Sequence, residues 1–215
     1  MATELLVVRH GETEWNATGR IQGHLDVGLN ERGRLQAEAV AERLAGEIFS
    51  ALYSSDLKRS IETAEAIGAT AGHQVIPDAQ LREWDLGVLA GLMRIEAETQ
   101  FPEAYRIYAE GIVGAVVQEG ESIRQRYERT TGRLEAIAAA HNGMRVVVVT
   151  HGGALDDFYR QAKRMTLEAE KDFELFNAGV NTFEIADGVW TLKQWGDVRH
   201  LEAIGTMGNW EGKDS

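Results

Sequence analysis

The chain has 215 residues, enough for one domain with a sizeable core, and its 44% hydrophobic and 26% charged residues exclude a wholly disordered chain. Lys and Arg number 22 against 34 Asp and Glu, a net charge of −12 that argues against a general binder of nucleic acid or anionic membrane. Cysteine is absent, so disulfides, thiolate metal sites and cysteine nucleophiles are excluded.

Residues Glu4 to Arg9 form a short Leu- and Val-rich run, read as a buried strand. From Glu31 to about Ile48, the residues Leu35, Val40, Leu44 and Ile48 recur near helical spacing, and Asn30 precedes them as a cap. Ala51 to Tyr53 predicts a second strand, and Ser54 or Ser55 caps a helix with the stripe Leu57, Ile61, Ala64, Ile67 and Ala71. Gln74 to Ile76 is a weaker strand stopped by Pro77. The stretch from Met93 to Gly120 holds one helical segment around Glu103 to Glu110 and a glycine-broken run, and reads as a helical excursion able to act as a lid. Glu121 to His141 predicts a long amphipathic helix, with Ile123, Tyr127, Thr130, Leu134 and Ile137 inward and its arginines outward. Arg145 to Thr150, with four consecutive valines, predicts a central parallel strand; Leu155, Phe158, Tyr159 and Ala162 mark the helix after it. Thr182 to Ala186 and Val189 to Trp195 flank Asp187-Gly188, a hairpin signal, and the residues from about Gly205 read as a loose tail. Alternating strands and helices predict a single α/β domain over 1–215: three layers, α/β/α, around a mostly parallel sheet, with 93–120 as the variable excursion. No apolar run approaches the roughly 20 residues of a membrane span, and the first residues lack the basic start of a signal peptide. A soluble cytoplasmic protein is expected.

Two histidines follow strands in the same way. His10 stands between Arg9 and Gly11, and His151 between the valine strand and Gly152-Gly153. If the strands are parallel neighbours, both histidines emerge at the carboxyl edge where open α/β sheets bind ligands. The glycines permit close backbone approach, and the helix after His151 offers N–H groups to an anion. Arg59, one turn into its helix, adds a second guanidinium to that of Arg9. Taken singly, each residue reads as an ordinary solvated charge or core histidine; a converging His/Arg set in so acidic a chain predicts a local phosphate pocket. A metal held by His10, His151 and carboxylates has no supporting His-Glu-x-x-His-type spacing, so no metal and no cofactor is expected.

The run Arg9-His10-Gly11-Glu12-Thr13, followed by Asn16, Arg20, Gln22-Gly23, Asp26, Leu29, Gly33 and Gln36-Ala37, resembles the histidine phosphatase superfamily, in its phosphoglycerate-mutase-like branch. The resemblance continues through Ser54-Ser55-Asp56-Leu57-Lys58-Arg59, Thr63-Ala64, Leu81-Arg82-Glu83, Gly120-Glu121-Ser122 and Thr150-His151-Gly152-Gly153 to Asn177, Asp197 and His200. It implies that His10 attacks phosphorus and becomes phosphohistidine. Arg9, Arg59 and His151 would clamp the phosphoryl oxygens. Asn16, Gln22, Gly23, Arg82 and Gly152 would line the phosphate and substrate, and Glu83 would protonate the leaving oxygen with a pKa raised by partial burial. Taken alone, Glu83 is as readily a solvated carboxylate, and Asp85 competes for its role; Glu12 has a structural part. His24, His73 and His141 read as surface or loop residues and His200 as a hydrogen-bonding group beneath the site. Trp15 and Trp84 are expected to wall the pocket. Two positions depart from the resemblance: Ala90, where relatives carry Glu or Gln, and Asp156, where many carry Arg and where an acid would remove a supporting positive charge.

The expected activity is hydrolysis of a small phosphorylated metabolite through a covalent phosphohistidine, because the 93–120 excursion is short for a mutase's substrate cap. A phosphoglycerate mutase-type phosphoryl transferase and an inactive phospho-ligand-binding regulator are the alternatives. No nucleic-acid or membrane partner is expected; a homodimer is possible by symmetry statistics alone.

Overall fold

A computed structural model describes residues 1–206. Six strands form one sheet: β1 (Thr3–Arg9), β2 (Ala51–Ser54), β3 (Val75–Pro77), β4 (Arg145–Thr150), β5 (Val180–Ala186) and β6 (Val189–Asp197), in the order β3-β2-β4-β1-β5-β6. The first four are mutually parallel, and the β5–β6 hairpin closes one side antiparallel. The helices are α1 (Glu14–Thr18), α2 (Glu31–Leu44), α3 (Lys58–Ala71), α4 (Arg94–Gln100), α5 (Pro102–Glu110), α6 (Ile123–Ala140) and α7 (Gly152–Lys163). No described helix is long and apolar enough to cross a membrane.

Period-two alternation along β1 sorts its side chains between two cores. Leu5 and Val7 join Val146 and Val148 under Leu134, Ile137 and Phe158 of α6 and α7. Leu6 and Val8 join Val147 and Val149 under Val40, Leu44 and Ile67 of α2 and α3. The result is the expected α/β/α sandwich with a mostly parallel sheet. A third apolar cluster lies outside both layers: Trp84, Leu86 and Leu89 pack with Ala97, Ala104 and Ile107 of α4 and α5. The excursion therefore has its own small core, and α4 is a helix that periodicity over so short a run did not reveal. Asp187 and Gly188 both take positive φ, 50° and 76°, the backbone that a two-residue hairpin turn needs.

Three sequence expectations need correction. First, α2 stops at Leu44, so Ile48 lies beyond it and is 90% exposed, and Leu35 is on its solvent face. The buried stripe is instead Gly33, Gln36, Ala37, Val40, Ala41 and Leu44. Second, α3 begins after Leu57 with no side-chain cap. The hydroxyl of Ser54 donates to the Ser55 carbonyl, and that of Ser55 meets His151 (2.8 Å). Asp26 accepts from the Lys58 N–H instead (2.6 Å), and so caps the helix from a distant loop. Third, not every arginine of α6 faces out: Arg126 is buried with Asp157. Of the expected loose tail, Gly205 and Thr206 are anchored, through Gln36 Nε2 to the Gly205 carbonyl (2.9 Å) and the Thr206 hydroxyl to the Asn177 carbonyl (2.7 Å); the remainder, with Trp210, lies outside the described residues.

Candidate active site

The β1–β4 register pairs Arg9 with Thr150, so His10 and His151 leave the sheet side by side. Their ring centroids are 5.1 Å apart. His10 Nδ1 faces its neighbour's carbonyl, Gly11 O, at 2.7 Å, which places the proton on Nδ1 and leaves Nε2 a bare lone pair. Burial, then the charges of Arg59 and Arg9, hold His10 well below the ordinary histidine range, so the imidazole is neutral. The backbone around it is braced. Asn177 Nδ2 donates to the His10 carbonyl (3.0 Å), and Thr63 accepts from the Gly11 N–H (3.0 Å). Gly11 has no room for a side chain: a Cβ there would sit 2.5 Å from the Gly33 carbonyl oxygen of α2. Glu12 is structural, as expected. Its carboxylate accepts from Asn30 Nδ2 (2.8 Å), and its N–H donates to Gln36 (2.9 Å).

Arg59 is fully buried, and burial pushes it down to about 10, still cationic at neutral pH. It donates through Nη2 to Gly23 O (2.9 Å), through Nη1 to Leu25 O (3.0 Å) and through Nε to His151 Nδ1 (3.3 Å). His151 Nε2 lies against Ser55 Oγ (2.8 Å) and Ser60 Oγ (3.2 Å), so both ring nitrogens are engaged inside the protein. Burial and the Arg59 charge keep this ring neutral as well. Arg9 Nη1 donates to Leu175 O (2.5 Å), while its buried Nε has no protein partner, an N–H ready for an anionic oxygen. Its guanidinium lies 3.6 Å from where a Gly152 Cβ would stand, so Gly152 keeps that approach open.

The other expected ligands are placed less directly. The Thr13 hydroxyl lies between Asn16 Oδ1 (3.0 Å) and Gln22 Oε1 (2.9 Å), so both amide oxygens serve the loop and only their NH2 groups are donors for a ligand. Arg82 is engaged elsewhere: its guanidinium forks onto Asp56 with two contacts of 2.6 Å.

Glu83 is the main surprise. Its carboxylate accepts from the Gly153 N–H at the start of α7 (3.0 and 3.1 Å) and from the Trp84 N–H (2.8 Å). Burial pushes Glu83 up, as expected from sequence. The Arg126 charge, the two backbone N–H groups and Arg59 outweigh it, so the group lies below the ordinary glutamate range and is ionised at neutral pH. The expected raised pKa is thus corrected. The main chain here is braced as well: Arg129 donates to Arg82 O (3.0 Å) and Glu83 O (3.1 Å), and His24 Nε2 meets Glu83 O at 2.7 Å. His24 is therefore no idle loop residue. Asp156 does not strip the site of positive charge: it pairs with Arg160 (2.7 Å) and Lys171 (3.3 Å), with Arg126 3.8 Å away. Ser60 and Asp157 carry no signal in the sequence; Ser55 and Thr63 stand inside the motif runs, Ser55 reading there as a helix cap, and Arg126 reads as one of the outward arginines of α6.

Among the described residues no group of three His, Cys, Asp or Glu is placed to hold a metal ion. The cations at this edge are guanidinium groups, matched in geometry to phosphate oxygens.

Residues 5–198 match the model of the histidine phosphatase superfamily, branch 1. The chain belongs to that superfamily. It is 46% identical over 215 residues to phosphoglycerate mutase-like protein 4 of Arabidopsis thaliana, covering 98% of this chain and 92% of that one. It is 44% identical over 208 residues to the metal-independent phosphoserine phosphatase of the same plant, covering 95% and 86%. A solved structure of phosphoserine phosphatase from Entamoeba histolytica in complex with phosphoserine superposes with a TM-score of 0.81 at 29% identity, covering 93% of this chain and 99% of that one. The phosphoserine phosphatase relatives agree with phosphatase activity, and the plant enzyme among them works without metal.

Proposed function

We propose that this histidine phosphatase hydrolyses small phosphomonoesters in the cytoplasm, with His10 as nucleophile and Glu83 as the proton donor and acceptor. The observation that carries the reading is the bare Nε2 of a neutral His10 beside the unpartnered Nε–H of Arg9. His10 Nε2 forms a bond to phosphorus as the bond from phosphorus to the ester oxygen breaks, and that oxygen takes a proton from Glu83. A water then attacks phosphorus and gives its proton to Glu83. The P–N bond breaks, its electron pair returns to Nε2, and inorganic phosphate leaves. Arg9, Arg59 and the NH2 groups of Asn16 and Gln22 stabilise the charge on the equatorial oxygens, with Gly152 leaving the approach to Arg9 open and the Gly23 carbonyl holding Arg59. His151 joins this set in its other tautomer, with Nε2 accepting from the Ser55 hydroxyl and the proton on Nδ1, where a phosphoryl oxygen replaces the Arg59 contact. Arg82, held by Asp56, shapes the rim of the site.

The relatives named above supply the substrates to try first. Purified protein offered L-phosphoserine, 3-phosphoglycerate and an aryl phosphate is expected to release inorganic phosphate, and prolonged chelation is expected to leave the rate unchanged. Loss of rate that Mg²⁺, Mn²⁺ or Zn²⁺ restores would replace this reading with a metallophosphatase. Interconversion of phosphoglycerates without phosphate release would replace hydrolysis with mutase chemistry.

A further inference from the structure

Behind Glu83 lies a buried ion pair that the chemistry above does not use. Arg126 of α6 donates through Nε (2.9 Å) and Nη2 (2.8 Å) to the two oxygens of Asp157 on α7. Thr130, one turn further along α6, donates to the same carboxylate (3.0 Å). The guanidinium also lies over the Trp84 ring, 5.3 Å from its centroid. Arg126 is 4% exposed and Asp157 0%. With Nε and Nη2 fixed on Asp157, Nη1 is left on the Glu83 side. The position that a Cβ of Gly153 would occupy is 2.1 Å from Glu83 Oε1 and 3.0 Å from Arg126 Nη1. The missing side chain of Gly153 is thus the gap in which the two groups approach each other.

We propose that Arg126, locked by Asp157, is a positioning residue that aims the Glu83 carboxylate and keeps it ionised until a phosphoryl group binds. This rests on the reading of Glu83 as the proton donor. The proton for the leaving alcohol then enters with the substrate: the monoanion of the ester passes its proton to Glu83, and the resulting dianion faces Arg9 and Arg59. Breaking the ester bond returns that proton to the leaving oxygen. The charge balance explains the order of events. Arg126, Arg59 and Arg9 all favour the carboxylate, and a bound phosphoryl group offsets Arg59 and Arg9. The other groups facing Glu83 are Tyr108 of α5, whose phenol burial pushes up and which stays neutral, and His24 and Arg129 at its main chain. Behind Arg126 stand Asp157 and Asp156. Burial pushes Asp157 up to about 6 against the pull of Arg126.

Arg126→Met removes the charge but orphans a buried carboxylate, so Arg126→Met combined with Asp157→Asn is made beside it, and Arg126→Lys tests retention of the charge alone. In the folded double variant, a ¹³C titration of the Glu83 carboxyl in the free protein is expected to move to higher pH by about one to two units. The alkaline limb of kcat/KM for an alkyl phosphate is expected to stay where the ester loses its own proton, while the alkyl rate falls relative to that of an activated aryl phosphate. Arg126→Lys is expected to leave the titration close to that of the parent. An unmoved Glu83 titration in the double variant, with an unchanged ratio of alkyl to aryl rates, would overturn the proposal. Failure of the underlying reading looks different: Glu83→Gln would then slow both substrate types equally, whatever the carboxyl titration shows.

Discussion

The two halves of the proposed active site, the nucleophile His10 and the acid Glu83, are built by different means. The nucleophile half comes from two short strand–His–Gly steps, placed side by side by the β1–β4 register. The acid half has no such local source. Glu83 sits on an irregular segment and receives its N–H donors from Trp84 and α7, its charge from α6, and main-chain support from Arg129 and His24. The first half is positioned by backbone hydrogen bonds of the sheet, the second by buried side-chain charges that several elements share. Sheet register tolerates little and is insensitive to surface electrostatics. A charge network responds to every member.

The sharpest break falls on the nucleophile side. His10→Ala is expected to lower turnover of every phosphate ester by about 10⁴–10⁶-fold and to abolish acid-labile phosphate incorporation. Substantial remaining turnover would remove the phosphohistidine mechanism. On the acid side the loss should depend on the leaving group. Glu83→Gln is expected to slow alkyl phosphates by roughly 10²–10⁴-fold, the range for general acid catalysis, and activated aryl phosphates far less. Equal losses would turn attention to Asp85.

Gly153→Ala sharpens the comparison further. Its new methyl would lie 2.1 Å from Glu83 Oε1, so the carboxylate must move, while His10 and Arg9 keep their places. Alkyl phosphate turnover is expected to fall by about 10²-fold, as a displacement near 1 Å can cost, with the fold retained. A variant as active as the parent on alkyl esters would show that the Gly153 contact does not aim the acid. The smallest effect is spectroscopic. Because burial and neighbouring arginines depress His10 and His151, ¹⁵N spectra of the free protein are expected to show both rings neutral at about pH 6, where an ordinary histidine is mostly protonated. The sign follows from the direction: lowered values mean that acidification must go further before either ring gains a proton. Protonated rings at that pH would remove the basis for a lone pair on Nε2.

The same division decides what could be read from the chain. The valine run of β4 and the Leu-Val run of β1 show in any window, and so do the residues that follow them, Arg9, His10 and His151. Arg59 shows by its place near the start of α3, although its helix begins at Lys58 rather than at either serine, because the Ser55 hydroxyl serves His151. Leu35 and Ile48 misled because a stripe of four apolar residues cannot reveal where a helix ends. Arg126 was invisible for a more general reason. Helical patterning assigns an arginine to the solvent face, and only a carboxylate on another helix, 31 residues away, draws it inward. Glu83 was legible as a residue but not as a charge state. Its burial was foreseen; Arg126, which reverses the effect of that burial, was not.

The pairing of β1 with β4 also governs when a working site can first exist. His10 is among the earliest residues made. Its partner ring must wait for β4, and the Asn177 amide that steadies its carbonyl comes later still. Contacts of such long sequence separation form late and slowly in folding. A nascent chain that has released β1, α2 and α3 therefore carries His10, Arg9 and Arg59 but lacks Glu83, His151 and the Asn177 brace. Activity should arise in one step near the end of folding, and shortened products of interrupted synthesis would be inert rather than partly active phosphatases in the cell.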